Sequence, residues 1–178
     1  MSHETQVLPH NDLLNLAYYH KCVIEKKVAE DNREAIALDC MSCLIALAFS
    51  VEAIANFVGF KAIPEWNERA FYKDKMLVLG KGCGFKFEDS QEPYKSLHML
   101  KTIRDQMAHG KPIETKTDVS DREALRHAMA SPWDEHLTPE FAQHAFEQVK
   151  VFEKMLLELA GIPLIETLTS GTAVWVEA

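Results

Sequence analysis

Glycine and proline are scarce, seven of each in 178 residues, too few for a collagen-like or low-complexity chain. Basic residues are in the minority: Lys+Arg 19 against Asp+Glu 27 leave a formal net charge of −8, with a pI near 5.5. Phosphate contact relies on Lys and Arg, so this balance argues against broad, charge-driven coating of nucleic acid while leaving room for a small basic site. Cysteine is limited to Cys22, Cys40, Cys43 and Cys83. Cys40-Met-Ser-Cys43 forms a CxxC, but a zinc site needs a second ligand pair at compatible spacing and none accompanies it. The pair lies inside a strong helical run, so it is expected to pack as small apolar residues with free thiols. The opening stretch MSHETQVLPHND has no basic n-region and no apolar h-region, and no signal peptide is expected. The longest apolar run, Ala35 to Phe60, contains Asp39 and Glu52, costly inside lipid. It is expected to be the central helix of a soluble, cytoplasmic bundle with no membrane partner.

What is present is ordinary for a globular chain: 47% apolar and 26% charged residues. The length suits one domain, and a domain of this size buries roughly 70% of its unfolded surface without a covalent staple. Helical periodicity dominates. Asn11-Asp12 can cap a first helix with Leu13, Leu16, Ala17, Val23 and Ile24 recurring at three and four. Glu30-Asp31-Asn32 mark a turn. A second helix, about Arg33 to Val58, is apolar nearly all round and belongs in the middle of a bundle, with Gly59 as its stop. Trp66 to Leu79 reads as a shorter, more polar helix. The following Gly80-Lys81-Gly82-Cys83-Gly84 lacks the Lys-Ser/Thr ending of a phosphate loop and follows no strand; it reads as a helix stop and a connection.

Ser90 or Asp89 is expected to cap the next helix, with Pro93 in its first turn. Its apolar stripe is Tyr94, Leu97, Leu100, Ile103 and Met107, and it stops at Gly110. A polar loop, a short helix over Asp121 to Met129, and a long helix opened by Thr138-Pro139 and closed by Gly161 follow. The long helix carries Phe141, Ala145, Val149, Phe152, Leu156 and Leu159. The fold expected is all-α, an up-and-down bundle of four to five main helices over residues 1–161. Residues 162–178 are expected as an extension, either packed or flexible, with Ala-Val-Trp-Val near its end as a short strand.

One constellation carries chemistry. Late in the helix ending at Gly110 stands Arg104-Asp105-Gln106-Met107-Ala108-His109. Arg offers a planar, permanently charged fork that matches phosphate oxygens. His titrates in the range that suits proton transfer near neutrality. Together they supply what metal-independent RNA cleavage requires: a proton acceptor for the 2′-OH, a donor for the leaving oxygen, and a cation for the pentavalent phosphate. Five positions apart, the two side chains point about 140° away from each other on a regular helix. Either the helix unwinds near Ala108-His109-Gly110, or two copies of the chain meet. A helix C-terminus also favours basic side chains for its dipole alone.

This pattern, with its helix end, its Gly and the all-α order from Asn11 to about Gly161, resembles the HEPN superfamily, small helical bundles whose signature is an Arg, a short spacer and a His, commonly with a polar residue directly after the Arg. The resemblance implies a motif at a two-fold dimer interface, with two sets of Arg104 and His109 forming one cleft. Asp105 would orient them. Glu52, which looks buried in the central helix, would be a partner of Arg104, with Asn56 one turn later as a second supporting residue. Lys101 and Lys111 would contact RNA, and Lys116, Arg122 and Arg126 bring the local charge near neutral. Some HEPN toxins carry a Tyr two residues after the His as a modification site; here that position is Lys111. The expected activity is a metal-independent endoribonuclease, a homodimer acting as toxin or defence effector, with an antitoxin or other protein partner. The alternative is an inactive helical module that binds a protein partner or a nucleotide-like ligand. No metal and no cofactor are expected; His98, His127, His136 and His144 lack companions at ligand spacing and are read as surface or interface residues.

Overall fold

In the computed structural model, which describes residues 2–112, 114 and 121–174, the chain is an all-α bundle. In order come β1 (Ser2–Gln6), α1 (Pro9–Ala29), α2 (Ile36–Ala62), α3 (Tyr72–Cys83), α4 (Tyr94–His109), α5 (Arg122–Ala128), α6 (Pro139–Leu159) and β2 (Ser170–Val174). The middle of the bundle is α2, which packs against α1, α3, α4 and α6. Its Cys40, Cys43, Leu44, Leu47 and Val58 have no exposed surface, as the nearly continuous apolar run demands. All four cysteines are free thiols. Burial pushes the Cys40 thiol up to about 11 and that of Cys43 to about 12, and the Cys43 thiol donates to the carbonyl of Ala17 at 3.4 Å. By length and hydropathy α2 would suffice to cross a membrane, yet most of its apolar stretch is buried among the other helices.

Helix boundaries depart from the sequence expectations where a local signal meets a tertiary one. α1 begins at Pro9, ahead of Asn11-Asp12, because a proline's fixed φ suits the first helical position. The Asn11 amide is used elsewhere: it donates to the carbonyl of Thr167 and ties the start of α1 to the short 3-10 turn Leu164–Thr167. α2 runs past Gly59 to Ala62. Gly59 serves close approach instead of termination, since a Cβ there would lie 2.3 Å from the indole of Trp66. Gly80 and Gly82 lie within α3, and the residue that ends it is Gly84, left-handed at φ 82°. Trp66 precedes α3 by several residues, in the connection after α2, with its indole against Gly59.

Neither Ser90 nor Asp89 caps α4. The Glu92 carboxylate accepts from the Ser96 N–H at 3.2 Å and from its hydroxyl at 3.0 Å. α4 then buries Tyr94, Leu97, Leu100 and Ile103, with Met107 half-buried beside them. Asp121 caps α5 by accepting from the N–H groups of Glu123 and Ala124, and Thr138 caps α6 by accepting from Phe141. α6 buries Ala145, Val149, Phe152 and Leu156, while Leu159 is exposed. The extension returns to the amino terminus: β2 pairs antiparallel with β1, Ser2 opposite Val174 and Gln6 opposite Ser170. Trp175 and Val176 of the expected strand lie outside the described residues.

The Gly59 contact sets the sign of a stability change. Gly to Ala inside a helix ordinarily stabilises by about 1 kcal/mol. Here the added methyl must displace the Trp66 indole and the bond from its Nε1 to Asn56 Oδ1, 3.3 Å long. Gly59→Ala is therefore expected to destabilise by about 1–2 kcal/mol, within the usual range for overpacking, read as a lower midpoint in a urea melt.

Candidate functional site

The last three turns of α4 place Lys101, Arg104, Asp105 and His109, and the facing surface of α2 places Phe49, Glu52 and Asn56. Arg104 is the hub, with its side chain 23% exposed. Its Nη2 lies 3.7 Å from Glu52 Oε2, an ion pair longer than a direct hydrogen bond. Its Nε lies 3.1 Å from Asp105 Oδ1, off the N–H direction, so that Nε makes no hydrogen bond among the described residues. The guanidinium carbon stands 5.8 Å from the centre of the Phe49 ring, a cation–π separation. The fork is thus positioned by contacts on three sides and saturated by none of them.

Glu52 is half-exposed at 41%, which corrects the expectation that it is buried. The buried charge is one that sequence reasoning missed: Lys75 of α3, 3% exposed, whose Nζ donates to Glu52 Oε1 at 2.9 Å. Glu52 therefore bridges Lys75 and Arg104. A signal for Lys75 was present, because Lys75, Met76, Leu79 and Cys83 share the face of α3 that turns inward, and a lysine in that stripe needs a partner. Asn56 does not reach Arg104. One turn further along α2, it accepts from Trp66 Nε1. A second group passed over is His10, 2% exposed at the start of α1, its ring 4.8 Å from that of Phe57. Burial lowers the pKa of this imidazole, against the pull of Glu153.

Asp105 is held between Lys101 and Arg104; its Oδ2 accepts from Lys101 Nζ at 2.5 Å. Burial alone would raise its carboxyl, but the Lys101 hydrogen bond and the charges of Arg104, Lys101 and His109 outweigh it, and the group is held below the usual carboxylate range. A depressed carboxyl contributes stability that is full above its unfolded pKa and is lost as pH falls through the folded value. Asp105→Asn should therefore lower the melting temperature near neutrality and leave it unchanged at the acid end of the same pH series.

α4 is helical through His109, and Gly110 follows in an extended conformation. A Cβ at Gly110 would meet the Gln106 carbonyl oxygen at 2.4 Å, so the chain leaves the helix there by a path open to glycine. His109 is exposed. Of the two ways to bring Arg104 and His109 to one phosphate, unwinding at Ala108-His109 does not occur; the two side chains stay on different faces of one helix. Lys111 is exposed just beyond the helix, and Lys116 lies outside the described residues. Arg122 and Arg126 are exposed on α5. His98 and His144 are exposed, the latter 3.2 Å from Glu92. Among the described residues no group of three or more His, Cys, Asp or Glu gathers at metal-binding distances. Comparison with protein-family models, with curated proteins and with solved structures returns no match to this chain.

Proposed function

We propose that this chain is a HEPN-type, metal-independent endoribonuclease that works as a cytoplasmic homodimer, as a toxin or defence effector. The observation that carries the reading is the unbroken helix from Lys101 to His109 with Arg104 held over Phe49 by Glu52 and Asp105. Three cations, Lys75, Lys101 and Arg104, meet two carboxylates there, leaving a local positive charge on an otherwise acidic protein. Arg104 is the member that can turn a fork to phosphate, because its longest ion pair is readily exchanged for phosphate oxygens. His109, on another face, meets that phosphate when a second copy lies across a two-fold axis, so that two Arg104 and two His109 line one cleft.

In that cleft one His109 takes the proton of the 2′-OH, whose oxygen attacks the neighbouring phosphorus. Arg104 stabilises the charge that builds on the pentavalent phosphate. The other His109 gives a proton to the departing 5′-oxygen, and the product ends in a 2′,3′-cyclic phosphate. The test is purified protein with bulk RNA in EDTA, followed by end-group analysis: cleavage with cyclic ends supports the mechanism. Cleavage that stops in EDTA overturns it, and an absence of cleavage returns the chain to the helical-module reading.

Assembly gives a separate expectation. Light scattering at micromolar concentration should report a species near twice the 20.2 kDa of the chain. A monomer alone under those conditions would remove the composite cleft.

A further inference from the structure

Beside Arg104 an open groove of about 750 Å³ runs between α1 and α2 and is bounded at one end by Trp66. Phe49, Glu52, Asn56 and Phe60 line it from one face of α2, and His10 from the start of α1. We propose that this groove is a nucleobase pocket for guanine in single-stranded RNA, taking the base next to the phosphate at Arg104. The proposal deepens the ribonuclease reading and rests on it for the position of the phosphate.

The charge of the groove decides which part of a nucleotide enters. No Lys or Arg lines it, and Glu52 and Glu68 do, so a phosphate is repelled and an uncharged base is not. The aromatic surface suits a base: Phe60 is 79% exposed and uncovered, Trp66 is half-buried, and unstacked bases of single-stranded RNA bind by stacking on such rings. The volume falls within the range of small-molecule sites.

The polar groups favour one base. Glu52 and Asn56 are one helical turn apart on the same face. Trp66 Nε1 donates to Asn56 Oδ1, which fixes the amide and leaves Nδ2 as a donor. The Glu52 oxygens, each with one ion-pair neighbour, keep lone pairs for further donors. A carboxylate beside an amide N–H matches two adjacent donors flanked by an acceptor, which is the N1–H, N2–H and O6 edge of guanine. At the floor, His10 is 2% exposed with its ring packed on Phe57, and it shapes the groove without offering a polar atom to the occupant. The link to the phosphate is Phe49, whose ring lines the groove and carries Arg104 at 5.8 Å.

The test uses short 2′-O-methyl RNA oligomers, which bind but cannot be cut, with one guanine or with adenine in its place. Binding is read by fluorescence anisotropy on the full chain and on Phe60→Ala, whose exposed ring is not needed for folding. The guanine oligomer should bind at least tenfold more tightly than the adenine one, and Phe60→Ala should weaken it about tenfold. Equal binding of the two oligomers, or unchanged binding to Phe60→Ala, overturns the pocket. So does a shift from dimer to monomer in Phe60→Ala, which would make the groove a seam between copies. Cleavage of bulk RNA is read in parallel. Cleavage that persists while these arms fail removes the pocket alone; guanine-selective binding without cleavage keeps the pocket and removes the nuclease; neither binding nor cleavage removes both.

Discussion

His109→Ala should lower RNA cleavage by about 10²- to 10⁴-fold, the usual cost of removing a general acid or base. The loss should come without a change in helicity or in dimer mass, because His109 is exposed at the end of α4 and buries nothing. That separation of activity from stability is the informative part. A residue present only to complement the helix dipole would, on substitution, cost a fraction of a kcal/mol of stability and no cleavage. Arg104→Lys makes the companion measurement: a point charge in place of the planar fork should lose most of the activity. Cleavage that survives His109→Ala at near full rate would remove proton transfer by His109 from the mechanism.

The main helices were legible in the sequence for a physical reason. α2, α4 and α6 each carry an apolar pattern long enough to dictate one buried surface, and Thr138-Pro139, Gly110 and Gly161 punctuate them with residues whose backbone preferences suit helix ends. Where an element departs from its local signal, a contact made at a distance overrides the local preference. Gly59 carries the statistical mark of a stop, yet the helix continues because Trp66 needs the space beside it. β1 is invisible because Ser2–Gln6 has no strand pattern of its own; what defines it is its partner Ser170–Val174, which reaches into the Ala-Val-Trp-Val stretch expected as a strand.

The site divides in the same way. Arg104, Asp105 and Lys101 are neighbours on one helix, so their mutual contacts follow from spacing. The approach of Glu52 to Arg104 follows from α2 packing on α4. Lys75 did not emerge, because composition treats lysine as surface and only its place in the stripe of α3 betrays burial. Asn56, which the resemblance places beside Glu52 as a support, lies one turn further on and is drawn instead to the nearer indole N–H of Trp66.

The Lys75 finding changes what removing Glu52 should do. If Glu52 were a buried acid serving Arg104 alone, Glu52→Ala would act by stranding a guanidinium that already has Asp105 beside it. Instead it strands Lys75, 3% exposed, whose single carboxylate partner among the described residues is Glu52. Breaking a fully buried pair from one side costs about 3–5 kcal/mol, because an uncompensated charge is left out of water. Glu52 is 41% exposed and already meets solvent, so water reaches part of the gap, and about 2–3 kcal/mol is expected. For a chain of this length that lowers the melting temperature by about 4–12 °C. The diagnostic is the double substitution. Replacing both partners with apolar groups of similar shape is often neutral, so Glu52→Ala with Lys75→Met should recover most of the lost stability. Arg104 would still lack its α2 carboxylate, and cleavage should stay reduced. A melt unmoved by Glu52→Ala, or a double variant no more stable than the single one, would show that Lys75 does not depend on Glu52 and that the bridge from α3 through α2 to Arg104 carries no energy.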